Sequence, residues 1–242
     1  MATSNQKSLE SWKVDFLNDC LSNGVLKFGT FTLKSKRISP YFFNAGLFHT
    51  GNLVESISKA YASTLSTSTV QFDVLFGPAY KGIPLAATTV GKLTSLQKEK
   101  YGNVSYSFNR KEAKDHGEGG TIVGASMKDK SVVIIDDVIT AGTAIREAID
   151  IIVRQGGTLV GIIVAFDRME KTPSQRELQG DMSEVEGEPT RMSAIGEIRK
   201  QYGVPVLSIL TLEDVLDFLR GAGTEDDVKR LEEYRRRYKA SD

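Results

Sequence analysis

The residues best suited to chemistry in this 242-residue chain fall in one stretch, VVIIDDVITAGTA at 132–144. Four β-branched residues read as a buried strand that ends in two adjacent acids, Asp136 and Asp137. Val138 and Ile139 follow, and then the small-residue loop Thr140-Ala141-Gly142-Thr143-Ala144, which opens a helix. In an open α/β sheet, ligands gather outside the carboxyl ends of the strands. Small residues at a helix start aim free N–H groups, the helix dipole and threonine hydroxyls at one point, which suits a phosphate monoester. The two carboxylates would repel that phosphate, so they fit sugar hydroxyls or a divalent cation instead. A phosphate at one end and neighbouring ribose hydroxyls at the other describe a phosphoribosyl group. A single Asp here would often be only a strand end before a helix cap, but two acids followed by TAGT ask for more.

Other segments carry weaker signals. FNRKEAKDHGEGG at 108–120 sets Arg110, Lys111, Lys114 and His116 within seven residues, interleaved with Glu112, Asp115 and Glu118. Such a run is usually a solvated loop, and its acids argue against a simple nucleic-acid patch. Gly77-Pro78-Ala79-Tyr80-Lys81-Gly82 reads alone as an ordinary turn between a strand and a helix. The adjacent Phe42 and Phe43 would by themselves mean one core and one surface position of a strand. Arg168, at the end of a buried strand, is suited to bidentate contact with carbonyl or carboxylate oxygens. His49 and Trp12 read as structural.

The elements that must position these groups alternate along the chain. Leu9, Trp12, Phe16, Leu17, Cys20 and Leu21 recur at helical spacing, with Asn23-Gly24 as the stop. Residues 25–43 suggest a short hairpin turning at Ser39-Pro40. A helix over 52–66 precedes strands at 73–77, 104–109, 132–136 and 158–166, with helices from about Ile83 and Thr143 between them. A strand at 204–210 and helices at 212–220 and 224–238 close the chain. The strands are continuous β-branched runs without polar alternation, the mark of a parallel sheet covered on both faces. Two stretches read as irregular: 110–121, and an acidic segment from about 169 to 190 that looks like a solvated surface insertion.

Composition narrows the class. Hydrophobic residues make up 40%, enough for a core. With 31 basic and 31 acidic side chains there is no net charge, so an anion must be held by local geometry, and a broad duplex-binding face is not expected. One cysteine, Cys20, excludes an intrachain disulfide framework, and two histidines make His-based metal sites poor candidates. The polar start shows no signal peptide, and the apolar runs are too short to span a bilayer; a soluble, cytoplasmic setting is expected.

The 132–144 string resembles the phosphoribosyl-diphosphate (PRPP) signature of the type I phosphoribosyltransferases. SPYFFNAG at 39–46, FGPAYKGIP at 76–84 and FNRKEAKDHGEGG at 108–120 narrow the resemblance to the orotate phosphoribosyltransferase family, with TLKSKR (32–37) and AFDRME (165–170) in support. The resemblance implies the type I fold: a central, mostly parallel sheet flanked by helices, with a small N-terminal hood in residues 1–50 and the catalytic core in 51–242. It implies Mg²⁺-dependent transfer of the phosphoribosyl group from PRPP to orotate, giving orotidine 5′-phosphate and pyrophosphate in pyrimidine biosynthesis.

By the same resemblance, Lys111, Lys114, His116 and Asp137 are catalytic. PRPP is held by Lys34, Tyr80, Lys81, Arg110, Lys111, Lys114, His116, Asp136, Asp137 and the run Val138, Ile139, Thr140, Ala141, Gly142, Thr143 and Ala144. Orotate is held by Lys34, Phe42, Phe43, Thr140 and Arg168. The Ala79–Tyr80 peptide is expected cis. Mg²⁺ is expected to bind through PRPP and water near Asp136 and Asp137, with no direct protein ligand. A homodimer is implied, its glycine-rich 110–120 loop closing over the neighbouring subunit's site, with neither nucleic acid nor membrane as partner. Lys36 stands where many relatives carry glycine, and the 169–190 insertion is longer than in short bacterial relatives. Two other readings compete: a transferase for adenine or a 6-oxopurine, against which Phe42, Phe43 and Arg168 argue, and a non-catalytic regulator, against which the complete 110–120 cation set argues.

Overall fold

Apolar spacing and its punctuation account for most elements. A computed structural model of the chain describes residues 9–114, 120–183 and 190–242. Helix α1 (Ser11–Ser22) buries Phe16, Leu17 and Cys20 and gives way at Gly24, whose φ of 69° lies in the left-handed region that glycine adopts without penalty. Strands β1 (Leu26–Thr32) and β2 (Ile38–Phe43) form a separate antiparallel pair. Helix α2 (Gly51–Thr67), capped by the Thr50 hydroxyl, leads to the short β3 (Val74–Phe76). Next come α3 (Gly82–Leu96), α4 (Lys98–Tyr101), and the antiparallel β4 (Ser105–Lys114) and β5 (Gly120–Gly124). The central unit is β6 (Ser131–Val138), α5 (Thr143–Arg154) and β7 (Thr158–Asp167). Helices α6 (Gln175–Leu178) and α7 (Ala194–Tyr202), strand β8 (Val206–Thr211), and helices α8 (Leu212–Ala222) and α9 (Glu225–Tyr238) complete the chain.

The main sheet runs β5-β4-β3-β6-β7-β8, parallel throughout except for β5. Alternate residues of its central strands feed two cores. Val133 and Ile135 of β6, with Ile163 and Ala165 of β7, join α1, α2, α3, α8 and α9 on one face. Val132, Ile134, Ile162 and Val164 join α5 and α7 on the other. Helix α5 shows why it docks there: Ile145, Ala148, Ile149 and Ile152 recur at one-turn spacing and are all buried. The register Val138↔Phe166 brings the carboxyl ends of β6 and β7 level, so the loops leaving these two strands share one rim of the sheet.

Three expectations need correction. Ser39-Pro40 is not the hairpin turn, because both residues lie inside β2. The reversal occurs over 33–37, where Leu33 N–H donates to the Arg37 carbonyl and Lys36 takes a φ of 67°. Pro40 has no N–H to give a ladder, and it falls where the β1–β2 register shifts, between the Phe28↔Tyr41 and Phe31↔Ser39 pairs. The stretch 110–121 is not irregular at its ends: β4 continues to Lys114 and β5 begins at Gly120, paired as Lys114↔Gly120. An exposed edge hairpin can carry charges that mask its strand character. The front of the 169–190 segment is not merely solvated. Ser174 and Glu177 close a capping box on α6, and the Glu177 carboxylate is buried against Arg37.

Candidate active site

The candidate site lies where β6 runs out. Asp136 and Asp137 are partly buried at its end, each satisfying the next backbone amide: Asp136 Oδ1 accepts from Asp137 N–H at 2.9 Å, and Asp137 Oδ1 from Val138 N–H at 2.9 Å. The other Asp137 oxygen accepts from Lys81 Nζ at 2.7 Å. Beneath them the Tyr61 hydroxyl of α2 donates to the Asp136 carbonyl at 2.7 Å and pins the strand end. Burial, and then the adjacent Asp137 charge, push the Asp136 carboxyl up to about 7. Two acids this close favour any ligand that brings them donors or positive charge.

The chain then folds into a crook. Ile139 is buried beneath the loop, while Thr140, Ala141, Thr143 and Ala144 stay exposed. Gly142 precedes α5 with a φ of 76° and supplies no side-chain cap, so the first amides of the twelve-residue helix are left open for an anion. Arg146 braces the loop from behind: its Nη1 donates to the Ala141 carbonyl at 3.0 Å while Nη2 reaches Glu197 of α7 at 3.4 Å. A β-carbon on Gly142 would meet that same Nη1 at 2.8 Å.

Beside the crook runs the β3–α3 loop. The Ala79–Tyr80 peptide is cis, as the resemblance implied. Gly77 N–H donates to the Ser107 carbonyl at 3.0 Å, and Ala79 N–H to Asn109 Oδ1 at 2.9 Å. Gly77 and Gly82 pack backbone against backbone, leaving no room for a side chain at either. Tyr80 and Lys81 project outward, 67% and 65% exposed. From β4, Lys111 Nζ lies 4.9 Å from the Tyr80 ring centroid, so this part of the charged segment stands over its own chain's loop. Arg110 Nη1 is buried with no hydrogen-bond partner among the described residues. The Lys114 side chain and His116 lie outside the described residues.

The third side is the hood. Lys34 is exposed in the β1–β2 turn. Phe42 and Phe43 point to opposite faces of β2: Phe42 is 40% exposed beside Phe31, whereas Phe43 stacks on Phe166 at 5.3 Å in the core. Only the Phe42 ring is thus open to a ligand, and Phe43 can offer backbone alone. Arg168, just past β7, lies 4.7 Å from the Tyr41 ring and is bound by Glu170 at 2.7 Å.

Of the expected site residues, the structure brings Lys81, Asp137 and the crook together directly, and Tyr80 with Lys111. It links β2 to the end of β7 through Phe43 on Phe166 and Arg168 on Ser39, with Phe42 on the outer face of β2 and Lys34 in the turn before it. Sequence reasoning missed the supporting groups Tyr61, Asn109, Arg146 and Glu170. Of these, Asn109 and Glu170 lay inside the strings that carry the resemblance, next to Arg110 in FNRKEAKDHGEGG and two residues from Arg168 in AFDRME, whereas Tyr61 and Arg146 had no local signal. Among the described residues no group of three or more His, Cys, Asp or Glu could hold a metal ion, and no helix is long and apolar enough to cross a membrane. Asp136 and Asp137 could offer a cation two neighbouring carboxylates, and a bound ligand would have to supply further oxygens.

Comparison with known proteins agrees with this geometry. Residues 47–194 match the phosphoribosyl transferase domain model. The chain is 54% identical to the orotate phosphoribosyltransferase of Neurospora crassa, over 97% of this chain and 99% of that one. It is also 54% identical to that of Metarhizium anisopliae, over 97% and 98%. The crystal structure of the Francisella tularensis orotate phosphoribosyltransferase superposes with a TM-score of 0.77 at 37% identity, covering 93% of this chain and all of that one. The likeness spans nearly the whole chain in both sequence and fold: the chain belongs to the orotate phosphoribosyltransferase family, pentosyltransferases of pyrimidine biosynthesis.

Proposed function

We propose that the β6–α5 crook binds the 5′-phosphate of PRPP at the open amides and hydroxyls of Thr140–Thr143, while Asp136 and Asp137 hold the ribose hydroxyls. The uncapped α5 terminus directly behind paired carboxylates carries this reading, since it offers opposite electrostatics a few residues apart. The Gly77–Gly82 loop and Lys81 face the pyrophosphate, with Arg110, Lys111, Lys114 and His116 supplying the cations that the leaving group needs. Mg²⁺, held through PRPP and water near Asp136 and Asp137, would supply positive charge to the leaving pyrophosphate.

Orotate lies on the hood side against Phe42 and the Phe43 backbone, with Arg168 aimed at its oxygens and Thr140 shared between the ligands. Its ring nitrogen attacks the anomeric carbon as the bond to pyrophosphate breaks, giving orotidine 5′-phosphate. The chain contributes alignment of the two reactants and preorganised positive charge where negative charge develops. A homodimer in which the 110–120 segment also serves the neighbouring site, and a cytoplasmic location, belong to the same reading.

The test is pyrophosphate release from PRPP with orotate, adenine or hypoxanthine as acceptor. Release with orotate alone, nearly abolished in Asp137→Asn and Lys114→Ala while the fold persists, is the expected result. Release that prefers a purine would overturn the base assignment, and no base-dependent release would favour a binding protein over an enzyme.

A further inference from the structure

Behind Arg168 lies a buried ionic assembly set back from the proposed reacting groups. After β7 the chain reverses at Met169, whose φ of 54° is one that L side chains rarely adopt. Asp167 Oδ1 accepts from the Met169 amide at 2.8 Å, and the Met169 carbonyl accepts from Ala240 at 3.2 Å. This reversal brings the Glu170 carboxylate back onto Arg168. Glu170 Oε1 accepts from Arg168 Nε at 2.9 Å, from Arg168 Nη2 at 2.7 Å and from the Tyr41 hydroxyl at 3.0 Å. The hydrogen bonds of Arg168 all leave from Nε and Nη2, two weaker ones reaching Ser39 and Tyr234 at 3.4 Å. Among the described residues Nη1 has none, so the guanidinium is gripped along one edge and open on the other.

Glu170 is itself held from behind. Its second oxygen lies 3.5 Å from Arg37 Nη1, and Arg37 is 1% exposed. Arg37 also pairs bidentately with Glu177 at 2.9 and 3.1 Å, donates to the Lys171 carbonyl at 2.9 Å and packs over Tyr238. The front of the 169–190 segment and α9 thus converge on Arg37, the hood residue that backs the Glu170 carboxylate.

We propose that Glu170 is a positioning residue for the base subsite, fixing the Arg168 guanidinium so that Nη1 faces orotate, and that Arg37 and Glu177 hold Glu170 in that pose. The stretch from Met169 to Leu178 is then part of orotate recognition, although none of its residues touches the base. This rests on the reading of Arg168 as an orotate contact. A mobile Arg168 would have to be ordered by orotate itself, and that entropy cost would weaken orotate binding.

The test is steady-state kinetics with each substrate varied in turn, on the full chain, with thermal melting alongside. Glu170→Gln keeps the shape and removes the charge. It should raise the KM for orotate about tenfold while leaving the KM for PRPP within about twofold, a split that general loosening of the fold would not produce. Glu170→Asp should recover part of the loss, and Glu177→Gln, one pair farther out, should give a smaller effect of the same kind. In an Arg168→Ala background, Glu170→Gln should change the KM for orotate no further. An equal rise in that background, or parallel rises in both KM values, would overturn the positioning role while leaving Arg168 as a contact. An unchanged KM for orotate in Arg168→Ala alone would instead overturn the contact assignment and the proposal with it. Should Glu170→Gln fail to fold, Glu177→Gln carries the same comparison, and an effect absent there counts against the proposal.

Discussion

The two halves of the candidate site are built in opposite ways. The half proposed for phosphate is nearly continuous in sequence: strand end, paired acids, glycine and helix start all fall within 132–144. The half proposed for orotate is gathered from Ser39 and Tyr41 on β2, Arg168 and Glu170 after β7, and Tyr234 on α9. A phosphate can be met by backbone amides that any strand–loop–helix turn supplies, so one short motif suffices. A flat, anionic base needs side chains from several directions, and those must be fixed by packing. Changes in the first half should therefore act on PRPP and act locally; changes in the second should act on orotate and also on the fold.

The largest expected effect tests the first half. Asp137→Asn removes a carboxylate that should bear on the ribose hydroxyls and that also anchors Lys81; kcat/KM for PRPP should fall on the order of 10²–10³-fold with little change in melting temperature. Arg37→Ala probes the other half. It leaves Glu177 short of its buried bidentate partner, with Arg191 remaining at 2.9 Å, so unfolding by denaturant should show a loss of about 3 kcal/mol. If that variant were as stable as the wild type, the hood and the post-β7 segment would not be coupled as described.

A smaller effect is expected at Gly142. Its φ of 76° disfavours any β-carbon, and a new methyl would press on the arginine bracing the loop. Gly142→Ala should cost about 1 kcal/mol of stability and raise the KM for PRPP rather than that for orotate. Equal rises in both would blur the division between the halves.

The smallest effects are in pH dependence, and their signs differ between the halves. Asp136 is raised in the folded chain to about 7, so its ionisation opposes folding: its contribution declines as pH rises from the ordinary 3.8 towards 7. If PRPP binding needs the ionised pair, kcat/KM for PRPP should fall on the acid side of about 7, and Asp136→Asn should abolish that limb. Burial alone would raise Glu177, but hydrogen bonds from Arg37 and the Ser174 amide hold it at about 2. Its contribution is therefore present above the ordinary 4.5 and is lost as pH falls towards 2. Melting curves of Glu177→Gln and the wild type should converge in acid.

The same contrast explains what could be read in advance. The continuous β-branched runs at 132–136 and 158–166 and the apolar spacing of 145–152 announce the central β–α–β unit because their burial follows from local pattern. The Ser39-Pro40 turn was misplaced because proline signals a break, and here the break is a register shift inside a strand rather than a reversal. Helix α7 carried readable punctuation, a Ser193 cap and Gly203 at a φ of 66°, but sat behind an acidic run that suggested only a surface insertion. The burial of Arg37 against Glu177 joins residues 140 positions apart, and no spacing rule could pair them.

Crystallography with orotidine 5′-phosphate bound tests the central claim most directly. The account places its phosphate within hydrogen-bonding distance of the Thr140–Thr143 amides and hydroxyls, and its ribose hydroxyls on Asp136 and Asp137. Phosphate density anywhere else, with the start of α5 left bare, would contradict it.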